Sequence, residues 1–309
     1  MTVIANLNTP GHITEALVHA NQAIDSLDCA NRFVDAVRGL SDCLNKLQSE
    51  WFYDRQRPDG EMAAFRQLLL DGMSQQQRER FLGSTELLAL AELTPQILNH
   101  KVLLEGHYRP GEAISDELSR NAAQLHHKLS IALIEFTRAQ SSTLEDRIFK
   151  RAADLLYVVR SNIAHGEKSP YGFDRSKRER DEAVCRIIAP VQALLVDLLL
   201  DFPSTKLVVY GTLAPGEANQ SMLGEIKGSW SPCVVNGKRA IEASGLTTFS
   251  WSLNEAEHNL QIFESLELPE HWNRLEAFEG ARYRRRLVLA RVGAKLCVAY
   301  AFVARPDSL

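Results

Sequence analysis

Residues 201–217 read DFPSTKLVVYGTLAPGE, and the chain changes character across them. Before Asp201-Phe202-Pro203-Ser204 the apolar residues recur every three or four positions, the period of one helix face; after it they gather in short runs rich in Val, Leu, Tyr and Phe. The change of period predicts an α+β protein: an N-terminal all-α helical bundle over residues 1–203, then a small mixed α/β domain over 206–309. At 309 residues the chain has room for two such domains.

On the helical side, Leu144, Ile148, Ala152, Leu155, Val159 and Ile163 make one stripe, with Ser142 and Glu145 spaced as a capping box at its start. Comparable stripes run through 13–47, 62–70, 114–136 and 183–200, and turn formers interrupt them at Arg57–Gly60, Arg109–Gly111 and Lys168–Gly172. On the other side, 206–210, 260–266, 286–291 and 296–303 are expected strands, with a short helix near Pro269–Phe278.

Composition narrows the function classes. Hydrophobic and charged fractions of 45% and 24% are those of globular proteins. The first residues lack the basic start and apolar core of a signal peptide, and the longest apolar run, Val191–Leu200, carries Asp197, so a cytoplasmic protein without a membrane partner is expected. Five scattered cysteines with no Cys-x-x-Cys pair signal neither a disulfide frame nor zinc, and no metal or cofactor is implied. Lys and Arg number 23 against 28 Asp and Glu in residues 1–205, and 12 against 11 in 206–309, which excludes non-specific coating of nucleic acid.

Two stretches carry chemistry. The first is YVVRSNIAHGE, 157–167, where Arg160, Asn162 and His165 fall at a helix end. Five residues of α-helix rotate by about 500°, leaving Arg160 and His165 roughly 140° apart. They converge if Gly166 ends the helix and His165 turns back, or if two copies meet across a dimer. A solvated pair at a helix terminus is the plain alternative.

The second stretch pairs the strand-loop Tyr210-Gly211-Thr212-Leu213 with Leu275-Glu276-Ala277-Phe278-Glu279-Gly280-Ala281-Arg282-Tyr283-Arg284. A glycine at a strand end lets backbone N–H groups approach an anion. The adjacent His126 and His127 point to different sides of a helix and are expected in solvent. The same is expected of the run 175–182 and the cluster Arg282, Arg284–Arg286.

Arg160-Ser161-Asn162-Ile163-Ala164-His165, followed by Gly166, resembles the R-x4-H motif of HEPN domains, over about 110–202, although Ser161 stands where that family often has Asn, Asp or His. The resemblance implies a metal-independent endoribonuclease acting as a homodimer through the helical domain, a toxin or phage-defence effector whose partner is RNA. Arg160 and His165 would be catalytic and Asn162 would bind the scissile phosphate or fix the His tautomer. An imidazole titrating near neutrality and a permanently charged guanidinium suit that chemistry.

The second pair of motifs resembles the γ-glutamylcyclotransferase-like family, a small barrel, over 206–305, with Glu276 where Asp is usual. The resemblance implies that Glu279 is the acid/base for cyclising a γ-glutamyl compound to 5-oxoproline. By the same likeness the Gly211, Thr212 and Leu213 N–H groups bind the substrate's carboxylate or oxyanion beside Tyr210, and Tyr283 closes the pocket. Three readings stand: an effector ribonuclease carrying a cyclotransferase-like enzymatic or sensing domain; a cyclotransferase whose helices only dimerise; and a binding module in which neither site turns over.

Overall fold

The computed structural model describes residues 3–4, 10–27, 29, 32–92, 116–164, 175–241 and 247–305, with side chains described in these spans except at 10, 116–126, 161–164, 175–178 and 180. The architecture is α+β, with helices first and a small mixed β-barrel after them. The chain divides into two compact units, Met1–Leu199 and Leu200–Leu309.

In the first unit the apolar stripes become α1 (Pro10–Leu27), α2 (Phe33–Trp51), α3 (Glu61–Asp71), α4 (Gln75–Leu82), α5 (Thr85–Ala91), α6 (Asp116–Arg138), α7 (Ser142–Ala164) and α8 (Arg175–Leu199). The stripe expected over 13–47 is therefore two helices. Val34, Val37, Leu40, Leu44, Leu47 and Trp51 line the buried side of α2, which packs against α1 and α8. Ile148, Ala152, Leu155 and Val159 of the α7 stripe are buried as their spacing predicts.

Two expectations fail here for identifiable reasons. The start of α7 is held by Ser141: its carbonyl accepts from the Glu145 N–H at 3.0 Å and its hydroxyl from the Leu144 N–H at 3.4 Å. Ser142 and Glu145 form no box, because the Glu145 carboxylate is taken by Arg78, whose guanidinium also reaches Asp146 at 2.8 Å. Nor is the whole charged run at the start of α8 solvated. Asp181 and Glu182 are buried, and Glu182 accepts at 2.8 Å from the Phe33 N–H, one of the donors that the first turn of α2 leaves unpaired. His127 is exposed, as expected.

The transition at 201–205 has its own geometry. Asp201 and Phe202 adopt left-handed φ of 61° and 57°, and Pro203–Thr205 form one 3₁₀ turn before the first strand. The strands are β1 (Lys206–Val209), β2 (Ser229–Ile241), β3 (Thr247–Trp251), β4 (Glu257–Glu264), β5 (Tyr283–Val292) and β6 (Lys295–Ala304), with α9 (Ser221–Gly224) and α10 (Leu268–Glu279) between them. Their order is β3-β2-β4-β1-β6-β5, and β2 also pairs β5, which closes β2, β4, β1, β6 and β5 into a barrel that leaves β3 appended to β2. Among the described strands only β1 and β6 pair in parallel.

All four residues of β1 are buried because the strand is covered on both faces. Val208 packs inward with Val235, Ile262, Val288 and Ala301, whereas Leu207 and Val209 pack outward with Leu223 of α9 and Leu268, Trp272 and Leu275 of α10. β2 changes partner at Gly237: Ser229–Asn236 pair with β4 and Gly237–Ile241 with β3. A Cβ on Gly237 would lie 2.4 Å from the Phe249 ring and 2.5 Å from the Ser250 carbonyl oxygen, so only glycine fits the bend.

The basic cluster at the start of β5 is not solvated as a group. Arg286 is buried, and Arg285 lies 4.7 Å from the ring centroids of both Trp272 and Tyr300 while pairing with Glu276 at 3.0 Å. No disulfide joins the five cysteines, and burial pushes the Cys233 and Cys297 thiols up to about 12 and 11. No helix among the described residues is long and apolar enough to cross a membrane.

Candidate active site

The loop after β1 is shaped by its own carbonyls. Gly211 accepts from the Ala214 N–H at 3.0 Å and Thr212 from the Asn219 N–H at 2.9 Å, which folds the chain back over itself. The N–H groups of Gly211, Thr212 and Leu213 donate to no described backbone carbonyl. A Cβ on Gly211 would meet nothing within 4 Å, so the glycine leaves open the space a side chain would fill. Tyr210, at the root of the loop, is buried and donates its hydroxyl to the Phe302 carbonyl of β6.

Glu279 is the last residue of α10. Gly280 ends the helix at φ 69° and donates its N–H to the Glu276 carbonyl at 2.9 Å, a conformation that side chains disfavour. Of the two glutamates at the end of this helix, Glu276 is drawn off by Arg285 and Glu279 faces inward. Tyr283, just inside β5, donates its hydroxyl to the Thr247 carbonyl at 3.1 Å.

A cavity of about 270 Å³ brings these residues together: Tyr210, Gly211, Thr212, Leu213, Glu279 and Tyr283 all line it, although the loop and the helix end lie some seventy positions apart. Its size suits a small molecule. Burial pushes the Glu279 carboxyl up to about 7, and no described residue hydrogen-bonds or pairs with it. Burial first, and then the nearby Glu279 and Tyr283, push the Tyr210 hydroxyl well above its usual range, so it stays a proton donor. A carboxyl poised near neutrality in a cavity that the loop also lines can exchange a proton with a bound small molecule.

A second cavity of about 340 Å³ shares Val209, Tyr210, Gly211, Thr212 and Thr247 with the first and adds Arg239, Asn259 and Gln261. Sequence reasoning missed Arg239 and Thr247 because it placed no strand at β2 or β3. The alternation of Cys233 and Val235 with their neighbours, and the β-formers of TTFSW, were the available signals.

At the other candidate site, Arg160 is partly buried with its guanidinium 5.6 Å from the Tyr157 ring centroid, and its Nη1 has no hydrogen-bond partner among the described residues. Burial lowers its pKa, against the opposing pull of Glu61 and Asp42 in the same unit. The side chain of Asn162 and the whole of His165 lie outside the described residues. Among the described residues no group of three or more His, Cys, Asp or Glu could hold a metal ion.

No family model and no curated protein matches the chain. Among solved structures, that of YkqA from Bacillus subtilis is similar over 33% of this chain and 36% of that one, at 22% identity and a TM-score of 0.28. The match thus spans about a third of the YkqA chain.

Proposed function

We propose that the barrel unit is a cyclotransferase that converts a γ-glutamyl amide to 5-oxoproline and a free amine, with Glu279 as acid/base. The observation that carries this reading is the Glu279 carboxyl, unpartnered among the described residues and raised to about 7, in a cavity walled by the Gly211–Leu213 loop. The reaction needs a proton taken from an α-ammonium and returned to a leaving nitrogen, and a carboxyl of this pKa does both near neutral pH.

In this mechanism the loop N–H groups hold the substrate's α-carboxylate or the oxyanion on the γ-carbonyl. Glu279 deprotonates the α-ammonium; the amine attacks the γ-carbonyl carbon, forming the lactam C–N bond as the amide C–N bond breaks. The ammonium enters with three protons and ends as a lactam N–H with one. The two it loses end on the leaving nitrogen, which departs as an ammonium and restores the Glu279 carboxylate. No water is consumed. Tyr210 and Tyr283 hold the loop and the β5 start against Phe302 and Thr247.

Mass-spectrometric release of 5-oxoproline from a panel of γ-glutamyl dipeptides tests this. Turnover is expected with the wild type and a loss of about a hundredfold or more with Glu279→Gln; a panel that yields no product refutes the assignment.

Ribonuclease activity of the helical unit is a second reading. It is favoured by the Arg160 Nη1, a donor unpartnered among the described residues, on a guanidinium that suits an RNA phosphate. Incubation with RNA in EDTA, with Arg160→Ala and His165→Ala beside the wild type, decides it: intact RNA in the wild-type tube ends the reading.

A further inference from the structure

The helical unit carries an apolar seam that neither proposed activity uses. Three of the five large apolar side chains exposed among its described residues meet there: Leu88 of α5, 50% exposed, and Ile131 and Ile134 of α6, 38% and 51% exposed. The two helices are tied side by side, the Ser130 hydroxyl of α6 donating to the Ala91 carbonyl of α5 at 2.9 Å. A rotation of about 100° per residue places Ile134 between Ser130 and Ile131 on the surface of α6, with Lys128 beyond Ile131. It likewise places Leu88 between Ala91 and Glu92 on the surface of α5, whose last turn Glu92 continues. Crossed from edge to edge, the face therefore reads Glu92, Leu88, the Ser130–Ala91 seam, Ile134, Ile131 and Lys128.

Neither edge charge has an ionic partner among the described residues, whereas the neighbouring Glu135 is held by Arg147. Lys128 and Glu92 each lie within two residues of the Ser130–Ala91 bond, so they share its level along the helices. An apolar strip with opposite charges at its two edges is complementary to itself. A twofold axis running along the seam sets the Glu92 of each copy against the Lys128 of the other, and Leu88 against the two isoleucines. A partner of one charge sign would match one edge and be repelled at the other. We propose that this seam binds a second copy of the chain in an isologous dimer. The Glu135–Arg147 pair puts the seam near the α6–α7 turn, and Arg160 lies thirteen residues further along α7, about 20 Å away. The dimer is thus centred away from Arg160, unlike one that pools two such arginines in a shared cleft, and it depends on neither proposed activity.

Sedimentation equilibrium of the full chain tests this. The wild type is expected to be dimeric at about 100 μM, and Ile134→Asp, at an exposed position, to raise the dissociation constant about tenfold or more. Lys128→Glu and Glu92→Lys each bring like charges face to face and are expected to weaken the homodimer. An equimolar mixture of these two variants has opposite charges at both edges and is expected to dimerise as the wild type does, as is the double variant Lys128→Glu/Glu92→Lys. A wild type that stays monomeric at about 100 μM overturns the proposal. So does a dimer that Ile134→Asp leaves intact, or one whose weakened charge variants are not rescued by mixing.

Discussion

The Tyr210 hydroxyl donates to the Phe302 carbonyl, which ties the first residue of the 210–213 loop to β6, the parallel neighbour of β1. The loop is thus held by a side chain at its root and by its own carbonyls, while the N–H groups of Gly211, Thr212 and Leu213 donate to no described backbone carbonyl. Rigidity of the scaffold and openness of the donors come from the same few residues.

Tyr210→Phe keeps the ring in place against Phe249, 5.2 Å away, and removes only the donor. The buried Phe302 carbonyl then loses a partner, at about 1–3 kcal/mol. A fall in the thermal midpoint is expected, with a drop in kcat/KM larger than that of a variant equally destabilised elsewhere in the barrel. Equal drops in the two would separate Tyr210 from the site.

Glu279 connects stability with pH in the unusual direction. Its carboxyl is raised from 4.5 to about 7, so between those values the folded protein holds a proton that the unfolded chain has released. Stability from this group is therefore full below about pH 4.5, falls as pH rises through the window, and is lost above about 7. Glu279→Gln removes a penalty of roughly 1–3 kcal/mol at pH 8 and almost none at pH 4.5. Denaturant titrations of both proteins at the two pH values check this, while wild-type kcat/KM is expected to rise with pH through about 7. Tyr210, Tyr283 and Arg282 are the other titratable groups on the cavity wall.

The parts legible in the sequence were those with a local signature. The helical stripe of α7, the runs of β1, β5 and β6, and the glycine after Glu279 could each be read from a few consecutive residues. β2 was hidden because Pro232 and Gly237 interrupt its run and its last four residues, Lys238–Ile241, are exposed. Arg285 read as a surface cation because the rings that bury it, Trp272 and Tyr300, arrive from α10 and β6. Glu145 was misassigned for the same reason: Arg78 lies 67 residues away. Arg239 escaped notice because a cavity has no sequence period.

Gly237→Ala tests the bend in β2. The added Cβ would meet the Phe249 ring at 2.4 Å and the Ser250 carbonyl at 2.5 Å, both held by strand pairing. A cost of about 1–3 kcal/mol is expected, read as a lower urea midpoint. Adding Phe249→Leu should recover only part of it, since the carbonyl remains; full recovery would assign the constraint to the ring alone.

In the helical unit, Arg78 bridges Glu145 and Asp146 at the start of α7 and also donates to the Leu70 carbonyl at 2.8 Å. The Arg78 and Glu145 side chains are only 16% and 12% exposed, so removing the guanidinium strands a carboxylate out of water. Arg78→Ala is expected to cost about 3 kcal/mol or more. Arg78→Lys should restore little, because one ammonium cannot fork between two carboxylates and a carbonyl. If the lysine variant unfolds at the wild-type urea concentration, the forked geometry contributes nothing and the site is a simple charge pair.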